Sequence, residues 1–321
     1  MRAVFVEAAN PSDPLAALRV GERPEPTAPD GWVRVRVRAA SLNHHDIWSL
    51  RGVGLPDDRM PMILGTDAAG TTEDGRAVVV HSVVASDAWT GDETLDPKRS
   101  LLSEVHQGTL AEWVAVPERN LIAKPAELSF EEAACVPTAY LTAFRMLTRD
   151  SGLWKPGTVL VQGASGGVAS AAIQLAKALG HRVWVTARTE QKRAFALRLG
   201  ADEAFEPGAR LPERVDLVVE TVGEATWSHS LKSLRPGGTV VVCGATSGSN
   251  PSADLNRVFF LQLRVIGSTM GNRAELTSLL NLMKRMGVRP PIDRVVGFDE
   301  VPDAVAALEA GTVLGKVVLR P

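Results

Sequence analysis

The stretch Thr158 to Gln191, TVLVQGASGGVASAAIQLAKALGHRVWVTARTEQ, leaves the fewest choices to the chain that contains it. A short β-branched and apolar run, Val159 to Val161, enters the glycine-rich turn Gly163-Ala164-Ser165-Gly166-Gly167. An Ala-rich amphipathic helix follows and closes at Gly180, and a second apolar strand runs from Arg182 to Ala187. This is one βαβ unit of roughly thirty residues, the form in which a glycine-rich sequence carries a phosphate mechanism. Small residues let the backbone come close to a pyrophosphate. The helix start offers unpaired N–H groups and the positive end of its dipole. Gly163 through Gly167, with Val168, are the expected dinucleotide contacts. The third glycine of the usual pattern is Ala169 here, and a plain tight turn would need similar residues. The full strand, turn, helix and strand point to a nucleotide.

The end of the second strand selects the nucleotide. An NAD site usually places Asp or Glu there for the ribose 2′-hydroxyl, whereas Arg suits a 2′-phosphate. This strand ends Thr186-Ala187-Arg188-Thr189 with Lys192 one helical turn on, and no carboxylate precedes Arg188 within it. Arg188 and Lys192 predict NADP(H).

At 321 residues the chain is too long for one typical core and predicts two domains. A net charge of -2 argues against electrostatic binding to nucleic acid or an anionic membrane. No N-terminal leader and no membrane-length apolar run is present, which predicts a cytoplasmic protein. Cys135 and Cys243 fit a reducing compartment and can build neither a disulfide framework nor a cysteine-rich zinc site.

The N-terminal third reads as β-rich. VRVRVRA alternates strictly, so it predicts one buried face and a solvated row of Arg34, Arg36 and Arg38. Ser41 to Gly52 predicts a short helix with a polar start. Residues 85–109 read as a long polar loop or lobe. Ser129-Phe-Glu-Glu132 is a capping-box helix start, and a second helix is expected from Ala139 to Arg149. Beyond Thr158, near-continuous apolar strands alternate with helices, the pattern of a parallel sheet covered on both faces.

SLNHHDIWSLRG, LGTDAAG, GASGGVASAAIQLAKALG, DLVVETVG, LRPGGTVVVCGATSG, VIGSTMGNRAEL and the C-terminal GKVVL together resemble the medium-chain dehydrogenase/reductase superfamily over nearly the whole chain. Within it they resemble the quinone-oxidoreductase-like and zinc-type alcohol-dehydrogenase-like proteins. The resemblance implies an α/β chain: a GroES-like β-rich catalytic domain, 1–125 and 287–321, and a Rossmann domain with a doubly wound parallel sheet, 126–286. It implies a substrate cleft between them. It also implies a homodimer paired through RVIGST, and open sheet edges favour such pairing generally.

Where the resembled zinc enzymes have a cysteine ligand this chain has Asn43. Their histidine and following glutamate correspond to Thr66 and Asp67, and their last cysteine to Thr138. Asn and Thr are poor zinc ligands, and residues 85–109 contain no cysteine for a structural zinc lobe. His44, His45, Asp46, Asp67 and His106 offer no zinc spacing, because adjacent histidines on a helix diverge by about 100°. No metal is expected, and Asp46 is expected to anchor the helix or a neighbouring side chain.

Without a metal, the protein must hold the nicotinamide against an electron-poor carbon, stabilise an oxyanion and deliver a proton. Asn43, His45, Thr66 and Asp67 are the catalytic candidates, with His45 first for the proton because of its titration range. The resemblance puts Thr138 and Thr142 near the nicotinamide, and Gly244-Ala245-Thr246 under its carboxamide. Val222 would border the nucleotide. Lys316 is expected at the surface, with a phosphate contact as the alternative, and Cys243 as a buried thiol. Trp48 stands where many quinone reductases have tyrosine; Tyr140 is the chain's sole tyrosine. The leading expectation is an NADPH-dependent, zinc-independent reductase of small-molecule quinones or α,β-unsaturated carbonyl compounds. The alternatives are an enoyl-thioester or biosynthetic-pathway reductase, and a cofactor-binding protein with little turnover.

Overall fold

The computed structural model describes residues 1–321 and divides them into two compact units, Met1–Ala139 with Met270–Pro321, and Tyr140–Thr269. The first unit is built on a seven-stranded sheet. Its path runs Leu121–Ala123, Ala77–Val80, Asp67–Thr72, Trp32–Ser41, Lys316–Leu319, Ile292–Val296, with Trp113–Pro117 also pairing the long Trp32–Ser41 strand. A second, three-stranded sheet orders Leu18–Glu22, Arg2–Val6 and Met62–Ile63.

The alternating strand behaves as its pattern dictates: Val35 and Val37 enter the core while Arg36 and Arg38 are exposed. The arginine row is more than solvated. The Arg34 guanidinium lies 4.7 Å from the Trp113 ring centroid and Arg38 5.5 Å from that of Phe130, so their cations rest on aromatic faces. The long segment 85–109 is mostly irregular, with a short 3-10 turn at Glu93–Leu95 and a two-residue strand, Ser100–Leu101.

The second unit is a six-stranded parallel sheet ordered Glu203–Phe205, Arg182–Thr186, Thr158–Gln162, Val215–Glu220, Leu234–Val242, Arg264–Gly267. Numbered by sequence that order is 3-2-1-4-5-6, the dinucleotide-binding arrangement, and its direction reverses between the Thr158 and Val215 strands. The short Glu203–Phe205 strand carries too few residues for a periodic signal. No helix is long and apolar enough to cross a membrane.

The unit boundaries differ from the expected 125/126 and 286/287. The helix Phe130–Ala134 packs on the Trp32–Ser41 and Asp67–Thr72 strands and so belongs to the first unit. The helix Arg273–Met286 joins it too: Arg273 Nε donates to Glu93 at 2.8 Å, and a ring nitrogen of the buried His81 lies 2.8 Å from the Gly271 carbonyl. The expected helix from Ala139 starts instead as a single π-type turn, Val136–Tyr140, before the α-helix Leu141–Thr148.

Candidate active site

In the first unit, the Trp32–Ser41 strand ends in Leu42-Asn43, and Asn43 caps the helix His44–Leu50. The capping acceptor is not Asn43's own side chain. Asp46 Oδ2 accepts from the Asn43 N–H at 2.7 Å and Oδ1 from the Gly65 N–H at 3.0 Å, so one carboxylate fixes both backbone turns of the site. This is the anchoring role expected of Asp46. Burial pushes its carboxyl pKa up, against the pull of His45 and the Asn43 N–H.

The Asn43 side chain is thereby free to turn inward. Its Nδ2 donates to Asp67 Oδ2 at 2.8 Å and reaches Thr66 Oγ1 at 3.3 Å, and Thr66 Oγ1 lies 3.0 Å from Thr138 Oγ1. Asp67 Oδ2 also accepts from Ser41 Oγ at 2.8 Å, as the pairing of Ser41 opposite Asp67 dictates. Asn43, Thr66, Asp67 and Thr138 therefore form one cluster, while Asp67 Oδ1 is buried without a partner.

Lys316 is a correction. It is not at the surface but almost wholly buried, with Nζ donating to the Leu42 carbonyl at 2.7 Å and Asn43 Oδ1 at 2.6 Å, and 3.5 Å from Asp67 Oδ2. A lysine opening a short C-terminal strand pattern carries no burial signal by itself.

His45 is half-buried beside the cluster, whereas His44 is exposed, so the adjacent histidines diverge as the helix requires. His45 Nε2 lies 2.9 Å from Glu104 Oε1 in the irregular 85–109 segment, and Nδ1 is buried without a partner. Burial, the largest influence, opposes charging of the ring. The Glu104 hydrogen bond and the charges of Asp46, Glu104 and Asp67 outweigh it and raise its pKa.

In the second unit, the expected nucleotide residues gather at the carboxyl ends of adjacent strands. Gly163 has φ +88°, and Gly166 heads the helix Gly167–Ala178 with no side-chain cap and open space at its Cβ position. Val222 Cγ2 lies 3.8 Å from where a Gly163 Cβ would be, and the Ser247 N–H donates to the Val222 carbonyl at 2.8 Å. Gly163 to Val168, Val222 and Gly244 to Thr246 thus share one edge of the sheet, at its topological switch.

Arg188 is exposed at the end of the Arg182–Thr186 strand. Lys192 sits in the first turn of the helix Glu190–Arg198, whose cap Thr189 accepts from the Lys192 N–H at 3.3 Å. Burial and then the Arg188 charge lower the Lys192 ammonium's pKa. Thr142 is buried in the helix Leu141–Thr148, in a different unit from Thr138.

Sequence reasoning missed a buried polar network beneath this edge. Glu220, fully buried at the end of its strand, serves its own chain. Its Oε1 accepts from the Val222 N–H at 2.8 Å and the Gly223 N–H at 3.1 Å, and the carboxylate accepts from Thr226 and Ser230 hydroxyls. Ser230 in turn accepts from Gln162 Nε2 at 3.0 Å, while Thr186 Oγ1 donates to Gln162 Oε1 at 2.5 Å. A polar residue ending each of three neighbouring apolar strands, Gln162, Thr186 and Glu220, was the available signal.

Three other side chains drop out of the chemistry. Tyr140 is fully buried and donates to Gln174 Oε1 at 2.5 Å. The strand before Cys243 ends at Val242, yet burial still pushes the Cys243 thiol up to about 12, and Cys135 likewise.

Residues 29–126 match the alcohol dehydrogenase GroES-like domain family and residues 167–285 the zinc-binding dehydrogenase family. An acryloyl-coenzyme A reductase of Metallosphaera sedula is 30% identical over 94% of this chain and 95% of its own. Among solved structures, an NAD-dependent alcohol dehydrogenase superposes with a TM-score of 0.92 and 34% identity, covering 100% of both chains. A 2-octenoyl-CoA carboxylase reductase in complex with NADP and 2-octenoyl-CoA superposes with a TM-score of 0.92 and 27% identity, covering 99% of this chain and 87% of that one. The chain belongs to the medium-chain dehydrogenase/reductase superfamily, with a GroES-like domain and a Rossmann domain. It is an oxidoreductase.

Proposed function

We propose that this protein reduces the carbon–carbon double bond of an α,β-unsaturated acyl thioester with NADPH and without zinc. The observation that carries the reading is the Asn43–Thr66–Thr138 hydrogen-bond chain beside the buried Asp67 and Lys316: donors for an enolate oxygen, with no ligand set for a metal. A zinc ion does not fit these residues. They offer one carboxylate among amide and hydroxyl groups, and no three His, Cys, Asp or Glu side chains are placed to hold an ion. The thioester class draws support from the acryloyl-coenzyme A reductase and the 2-octenoyl-CoA complex, and it displaces free quinones and enones as the first expectation.

NADP(H) is the cofactor, and when bound it supplies the hydride. The chain's own residues do the rest. The Gly163–Val168 turn and helix N-terminus take the diphosphate, and Arg188 with Lys192 takes the 2′-phosphate. The backbone of Gly244 to Thr246 takes the carboxamide, and Val222 and Thr142 line the nucleotide. The Thr66 and Thr138 hydroxyls hold the thioester oxygen. His45 delivers the α-carbon proton through Nδ1, the ring nitrogen that Glu104 leaves free. We also assign the exposed Arg264–Gly267 edge, which carries exposed Val265 and is flanked by exposed Leu255, Phe259 and Phe260, to a second copy of the chain in a homodimer. Sedimentation of Phe260→Asp should give monomer mass; a monomeric wild type would sink that assignment.

NADPH oxidation with EDTA present tests the function. Acryloyl- or crotonyl-thioesters should be reduced with a kcat/KM at least about tenfold above quinones and free enones, the equivalent of ~1.4 kcal/mol in transition-state binding. A quinone as best acceptor would return the reading to the small-acceptor class, and activity lost to EDTA would overturn the zinc-free one. In the same assay Arg188→Ala should raise KM for NADPH by about 10–100-fold, the loss of a charge-assisted contact, with NADH nearly unchanged. Equal losses for both coenzymes would remove Arg188 from the 2′-phosphate.

A further inference from the structure

The reading above names the buried Lys316 beside the cluster without giving its ammonium a task of its own, yet several contacts of the fold place it there. Gly315 precedes it at φ +106°, where a Cβ would stand 2.3 Å from the Pro291 carbonyl, and the Lys316 N–H donates to that same carbonyl at 2.9 Å. The Lys316–Leu319 strand pairs Val318 opposite Ser41, and the Leu42 N–H donates to the Val317 carbonyl at 3.0 Å. The strand end therefore delivers Nζ to the point where Leu42 and Asn43 leave the sheet.

An ammonium can only donate. The Asn43 atom facing it at 2.6 Å must be the carbonyl oxygen, so the amide nitrogen is turned toward Asp67 and Thr66. With one lone pair of Thr66 Oγ1 taken by that nitrogen, the Thr66 hydroxyl hydrogen is available to Thr138 or to a ligand. The same ammonium is the cation beside Asp67, whose side chain is wholly buried and would otherwise carry an uncompensated charge.

We propose that Lys316 is the built-in cation of this cluster, a positioning residue that neutralises Asp67, fixes the orientation of the Asn43 amide and fills the space among these oxygens against a divalent metal. Asn43, Thr66 and Asp67 stand where the resembled zinc enzymes bind their metal, so one side chain of the protein replaces an ion from solution. The inference deepens the proposed site, but it does not depend on which acceptor is reduced.

The test uses the full-length protein and whichever acceptor of the panel is turned over fastest, with Lys316→Met, Asp67→Asn and the double variant. Lys316→Met should melt about 8 °C or more below wild type, because Asp67 is left buried and unpaired. Adding Asp67→Asn should restore most of that loss. The double variant should still show a kcat at least about tenfold below Asp67→Asn alone, with KM for NADPH within about twofold, because the amide has lost its guide. Wild type equilibrated with zinc should retain well under one ion per chain. Lys316→Met melting and turning over like wild type would overturn the proposal. So would a double variant as fast as Asp67→Asn, which would leave Lys316 a charge partner only. Retention of about one zinc per chain would overturn it as well, whatever the activity.

Discussion

Asp46→Ala should cost about 2–5 kcal/mol of stability and lower kcat by at least about a hundredfold, although Asp46 touches none of the proposed reacting atoms. Its two oxygens accept from the N–H groups of Asn43 and Gly65, both in the interior, and no other acceptor serves either group. Removing the carboxylate strands two buried donors at about 1–3 kcal/mol each, the full desolvation cost rather than the net worth of a hydrogen bond. The loss spreads because of what the donors hold. Asn43 heads the helix His44–Leu50, so its cap goes too. Gly65, at φ +100° with Thr109 and Leu110 packed where a Cβ would be, sets the turn that aims Thr66 and Asp67. A shift of about 1 Å in those groups is enough to spoil catalytic geometry. Urea unfolding and turnover measure the two effects separately. Stability within about 1 kcal/mol of wild type, with kcat intact, would show that solvent or a rotated neighbour replaces the carboxylate.

That dependence explains which parts of the molecule were legible in the sequence. The Thr158–Gln162 strand, its glycine turn and the following helix and strand could be read because the signal is local: period, small residues and a helix start within thirty-four residues. The Asn43–Asp46 cap is local as well. Lys316 and Asn43 are 273 residues apart, and nothing in either segment announces that a strand at the end of the chain will place an ammonium against the start of the His44–Leu50 helix. Gln162, Glu220 and Ser230 each look like an ordinary polar residue ending a strand or sitting on a helix; only the sheet order brings them into one network. The compact units divide at other residues for the same reason, since the helices Phe130–Ala134 and Arg273–Met286 are assigned by what they pack against. The acceptor was legible only as a set of alternatives, quinone, enone or enoyl thioester, because a hydrogen-bonding cluster for an enolate oxygen is common to all three.

Glu220→Leu should weaken NADPH binding by at least about thirtyfold, or ~2 kcal/mol, and lower stability by about 2–4 kcal/mol, while leaving the Asn43 cluster untouched in the other unit. Leucine has nearly the volume of glutamate but accepts nothing. The Val222 and Gly223 N–H groups lose their acceptor in a place water does not reach, and the Thr226 and Ser230 hydroxyls lose theirs. Gly223 sits at φ +94° with the Gly248 carbonyl and Ala245 where a Cβ would be, so this turn and the Gly244–Gly248 loop move together. Through Ser230 and Gln162 the disturbance reaches the strand that feeds the Gly163 turn. Glu220→Gln separates charge from geometry. Its oxygen can keep Val222 and Gly223, and its amide nitrogen can donate to the two hydroxyls, which accept as readily as they donate. The glutamine variant should therefore stay within about 1 kcal/mol of wild type and bind NADPH within a few-fold. Fluorescence titration with NADPH decides it. A leucine variant that binds like wild type would mean the loops hold their shape without Glu220, and an equally damaged glutamine variant would mean the negative charge, not the hydrogen-bond pattern, organises the nucleotide edge.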